Sequence, residues 1–159
     1  KHFKNKTYMK KTLLVAAIAL ISIIEVSAQS FEYKIITSVE SIVPMGLGRS
    51  RIISSTEEQN YLDFTSQRSA EDNKQNKSKR SDVKIDDFEE TKLVNFFSVA
   101  GINFKNIASN DAIVTSKINT MVTEGWDLTF VTSGVESDSG KGDGQGIYIT
   151  RYIFKRIKQ

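Results

Sequence analysis

Apolar and polar positions alternate from Phe31 to Glu40: Phe31, Tyr33, Ile35, Thr37 and Val39 share one face, Glu32, Lys34, Ser38 and Glu40 the other. That period of two predicts a half-buried strand with the odd positions as its apolar side, and only Ile36 interrupts it. Ile42 to Gly48 holds the single Pro and two glycines and reads as a wide turn. Arg49 to Ser55 follows as a second strand around Ile52 and Ile53, paired with the first. Tyr61, Leu62 and Phe64 suggest a short strand within a polar stretch. Ser66 to Asp82 has no large apolar residue, so it cannot bury surface and is expected to be a flexible insertion.

Apolar character returns at Leu93 to Val99. Ser109, Asn110 and Asp111 offer an N-cap and a first-turn acid for a helix over about 110–124. Within it Val114, Ile118, Met121 and Val122 fall on one stripe. Gly125 stands where a helix-ending glycine belongs, and Trp126, Leu128 and Phe130 alternate along the next strand. Gly134 to Gly146 reads as a hairpin loop. Ile147 to Ile157 is apolar on both faces, the mark of a strand in the middle of its sheet or covered on both sides. Strands, one helix and a last hairpin make an α+β fold with a mainly antiparallel sheet.

Upstream of this domain, Met9-Lys10-Lys11 precedes an apolar run from Leu13 to Ile24, and Val26 and Ala28 occupy the positions a signal peptidase reads. A charged start, a 12-residue apolar centre and a small-residue cleavage site predict a signal peptide over residues 9–28. Glu25 ends the run well short of the ~20 residues a spanning helix needs. Lys1 to Tyr8 are expected to lie upstream of a start at Met9. The expected destination is the periplasm or the medium, with no stable membrane anchor after cleavage and a single domain over 29–159.

Composition changes meaning once that segment is set aside. The whole sequence of 159 residues carries 22 Lys and Arg against 19 Asp and Glu, but residues 29–159 hold 17 and 18. The basic excess leaves with residues 1–28, and so does His2, the only histidine. A near-neutral exported chain is not expected to bind nucleic acid. With no Cys anywhere and no His in the domain, thiol nucleophiles, Ser-His-Asp triads and imidazole or thiolate zinc sites are excluded. No cofactor and no catalytic residue are expected.

Three places invite chemistry. Asp86, Asp87, Glu89 and Glu90 are dense enough for a carboxylate-dependent hydrolase of envelope polysaccharide, although charge runs of this kind are commonly solvated. Asp138 and Asp143, in the glycine loop, offer oxygen ligands for a cation without the spacing of a calcium loop. Gly46 and Gly48 can turn backbone N–H groups into an anion nest, with Arg49 and Arg51 on one side of a strand starting there. The expected role is a non-enzymatic binding module for a protein, a surface glycan or a small anionic ligand.

The run Lys117-Ile118-Asn119-Thr120-Met121-Val122-Thr123-Glu124-Gly125-Trp126-Asp127-Leu128 resembles the "lNelgaeGWeLv" signature of the bacterial domain-of-unknown-function family 4177. Phe31-Glu32-Tyr33-Lys34-Ile35-Ile36 and Ile153-Phe154-Lys155-Arg156 are similar to that family's first and last strands. These blocks cover about a sixth of residues 29–159, and Ser41 to Ala108 has no counterpart of this form. The resemblance implies a small α+β sheet domain in a secreted, elaborated version. It carries no catalytic residue.

Overall fold

The computed structural model describes residues 29–42, 49–71, 78–98, 100–136 and 146–158. The expected signal peptide, Gly46, Gly48, Asp138 and Asp143 lie outside the described residues. Contacts group the chain into Phe31–Arg156 and a second unit, Lys1–Ser30 with Ile157–Gln159. In that second unit Lys158 N–H donates to the Ser30 carbonyl at 2.9 Å. No described helix is long and apolar enough to cross a membrane.

The fold is α+β. Strands β1 (Phe31–Ser41), β2 (Arg51–Ser55) and β3 (Phe88–Lys92) are followed by a short hairpin, β4 (Phe97–Ser98) with β5 (Gly101–Ile102). Helix α1 (Phe104–Thr123) leads into β6 (Asp127–Glu136) and β7 (Ile147–Ile157). The main sheet has the order β3-β2-β1-β7-β6. β1–β2, β2–β3 and β6–β7 are antiparallel. The Ile42 N–H bonds the Gly146 carbonyl at 3.0 Å, and Glu32 faces Arg156 in an ion pair, so β1 and β7 are antiparallel in one register along their length.

Several elements depart from the pattern-based expectation. α1 starts six residues before Asn110, because Asn103 caps it: its side chain accepts from the N–H groups of Lys105 and Asn106. Asn110 is instead a buried residue inside the helix. Tyr61–Phe64 is a 3-10 turn capped by Asn60, with no residue buried, rather than a strand. The acidic Phe88–Lys92 segment, expected to be solvated, is an edge strand with all its side chains exposed. Ile147–Ile157 lies inside the sheet, as its two-sided apolar pattern predicts.

The helix end follows the sequence closely. Gly125 has φ +84°, its N–H bonds the Val122 carbonyl and the Trp126 N–H bonds the Met121 carbonyl, both at 3.0 Å. This reciprocal pair closes the last turn in a Schellman motif and delivers Trp126 into the core. Trp126 is buried, and the Arg156 guanidinium lies 4.2 Å from its ring centroid.

The core lies between α1 and one face of the sheet: Ile36, Ile52, Leu93, Met121, Trp126 and Phe154, with Ile113, Val114, Ile118 and Tyr152 packed against it. Val122, on the expected stripe, is exposed. The sheet face that α1 covers is the even face of β1, opposite to the one its alternation suggests. Ile36 and Ser38 are buried there beside Ser54 and Ile52, their partners on β2. The odd residues Phe31, Tyr33 and Ile35 are exposed. Polar partners fix this choice of face. Glu40 accepts from Asn110 at 2.6 Å and Glu89 pairs with Lys117 at 3.0 Å, so both ends of the covered face carry groups complementary to α1. The small serines Ser38 and Ser54 leave room for the helix where bulky side chains would hold it away.

Candidate functional site

One helix covers one face, and among the described residues no element covers the other. Because side chains alternate along each strand, the open face collects Phe31, Tyr33, Ile35, Thr37 and Val39 from β1, and Arg51, Ile53 and Ser55 from β2. From β3 come Phe88, Glu90 and Lys92. β7 adds Ile147, Ile149, Arg151, Ile153 and Lys155. On β6 the pairing register shifts between Leu128 and Phe130, so these two residues lie on opposite faces rather than alternating as one set. Phe130, Thr132, Gly134 and Glu136 therefore join the open face, while Leu128 and Val131 stay on the helix side.

Large apolar groups on this surface are solvent-accessible. Tyr33 is 63% and Phe130 60% exposed, with Ile35 at 49% and Phe88 at 46%. Lys155 sits 5.0 Å from the Phe31 ring centroid, which partly shields that aromatic. Arg51 binds Glu90 across β2 and β3 at 2.6 Å. At ~4.8 Å per strand and ~3.3 Å per residue the face is roughly 24 Å across, roughly 30 Å long on β1 and β7, and only roughly 17 Å long on the five-residue strands β2 and β3.

Among the described residues the sequence-derived candidates do not converge on one site. Arg49 is exposed and precedes β2, which begins at Arg51, so the two arginines do not share a strand. The ladder stops there because the Ser41 N–H bonds the Ser50 hydroxyl at 3.0 Å instead of a backbone carbonyl. Among the carboxylates, Glu89 points to the helix side and Glu90 to the open side, so they cannot converge on one substrate. Lys117, by hydrogen bond and by charge, holds the Glu89 carboxyl below its ordinary range. Asp86 is exposed, while the Asp87 backbone is tied to Thr56 and to the Glu57 carboxylate. Among the described residues no group of three or more acids or histidines is arranged to hold a metal.

Sequence reasoning missed the open face because it assigned the apolar side of β1 to the core. The signal that would have found it was Ile36, the residue that broke the alternation: it marks the side α1 actually buries. Family models, curated proteins and solved structures were compared with this chain, and none matches it.

Proposed function

We propose that this protein is an exported, non-enzymatic binding module whose working surface is the open face of the sheet. The observation that carries the reading is the exposure of Tyr33, Ile35, Phe88 and Phe130 on the sheet face opposite the helix. Aromatic residues and arginine are the groups that interface centres favour, and this face has both, with Arg51 and Arg151 among the aromatics. Its breadth suits a protein surface better than a small anion, and Arg51 already has Glu90 as its counter-charge. Export is supported by the Lys10-Lys11 start, the apolar run and Ala28.

The test is direct binding with a surface variant. The purified protein is immobilised and challenged with solubilised envelope proteins, alongside Tyr33→Lys with Phe130→Lys and, as a control off the face, Arg49→Ala. The module predicts retention by the native chain and the control and its loss in the double variant. Equal retention by all three would refute the assignment of the working surface.

A further inference from the structure

Building on the open face as the working surface, we infer that its occupant is a second copy of this chain, packed sheet on sheet about a two-fold axis that runs along β1. β1 is the middle strand of five, with two strands on either side. The strand pairings place Phe88 opposite Ser55 and Ile153 opposite Phe130, and the register of Ile36 with Ser54 puts Ile35 beside Ser55. The Glu32–Arg156 and Ile42–Gly146 contacts place Ile35 opposite Ile153. Read across the sheet, one row is therefore Phe88, Ser55, Ile35, Ile153, Phe130. It has an aromatic at each edge and an isoleucine on the central strand.

Rotation about β1 lays the row on itself. Phe88 comes over the partner's Phe130, Ile35 over its own counterpart, and Ser55 over the partner's Ile153, small against large. The next row behaves alike, for Arg151 comes over the partner's Ile53, one strand from the partner's Glu90. Each carboxylate at the edge thus gains a second cation. At about 600 Å² per copy the face lies at the lower edge of what a standard stable interface buries on each side. Two sheets ~10 Å apart with a shared apolar interior form a sandwich, the ordinary solution for a sheet with a second apolar face.

The experiment is sedimentation equilibrium of the full chain, expressed with its own N-terminus in a bacterial host and purified in the form the cell yields. Native protein, Ile35→Lys and Tyr33→Lys are compared between about 1 and 200 µM. The second variant changes the more exposed of the two positions, so it keeps the test open if the first does not fold. Circular dichroism melts check that each variant retains its structure. The native chain is expected to be a dimer in the upper part of this range, and each lysine to raise the dissociation constant on the order of a hundredfold, because it enters a two-fold interface twice. A native monomer throughout overturns the second copy, while envelope-protein retention lost in the Tyr33→Lys, Phe130→Lys variant would leave the binding-module reading standing. A native dimer that neither folded variant weakens overturns the assignment of the face.

Discussion

Replacing Asn110 by Ala removes three hydrogen bonds at once. The Asn110 Oδ1 accepts from the Val94 N–H at 2.9 Å, and Nδ2 donates to the Val94 carbonyl at 2.8 Å and to Glu40 Oε1 at 2.6 Å. The amide thus pairs with Val94 as a neighbouring strand would, and it fastens the segment before β4 to α1 and β1. Neutral bonds of this kind contribute about 1 kcal/mol each and one to a carboxylate about 2 kcal/mol. Val94 and Glu40 can regain water once the amide is gone, and Ala is the better helix former by roughly half a kcal/mol. The expected net loss is about 2–3 kcal/mol, read as a lowered urea midpoint at unchanged slope. Asn110→Asp keeps the shape but loses both donor bonds and sets a second carboxylate against Glu40. It should be at least as destabilised at neutral pH. A loss below about 0.5 kcal/mol for Asn110→Ala would refute the argument that this amide locks the helix to the covered face.

Other expectations follow from the same physics. The Ser54 hydroxyl is buried with no hydrogen-bond partner, so Ser54→Ala should raise stability by about 1 kcal/mol in urea unfolding; a loss would mean the hydroxyl is satisfied. Gly125→Ala should cost about 1–2 kcal/mol through its positive φ alone, since no atom lies within 4 Å of the added Cβ. Lys117 depresses the Glu89 pKa in the folded state, so this pair's contribution is present above the ordinary glutamate value of 4.5 and fades as pH falls through the lower folded value. The stability gap between native protein and Glu89→Gln should therefore narrow from pH 6 to pH 3. Because the pair is solvent-exposed, the gap is small at any pH.

Much of the fold was legible because local and tertiary demands agreed. Gly125 followed by Trp126 announces a helix end and a buried aromatic, and both occur. Ile147–Ile157 is apolar on both sides, as an inner strand should be. The helix start was misread because Asn110 looks like a cap in sequence, whereas its polar groups are satisfied by a segment 16 residues away. β3 was hidden for a related reason: an edge strand buries little, so Phe88-Glu89-Glu90-Thr91-Lys92 shows no alternation to detect. The open face was obscured by a rule that holds only when a sheet has one apolar side. β1 offers apolar residues to both, and the partners of Asn110 and Lys117 decide which side the helix takes.

Cysteine cross-linking reads the sheet-on-sheet assembly directly, and a chain without native Cys makes each introduced thiol unique. Thr37 lies on β1, where the proposed axis passes, so the two Thr37→Cys thiols should face each other between sheets ~10 Å apart and join through a short bis-maleimide. Thr132, two strands away on β6, would be separated from its counterpart by roughly 20 Å and should not join. Efficient covalent dimer from Thr37→Cys and little from Thr132→Cys is the predicted result. The reverse pattern would show copies meeting along the β6 edge and contradict the sheet-on-sheet assembly.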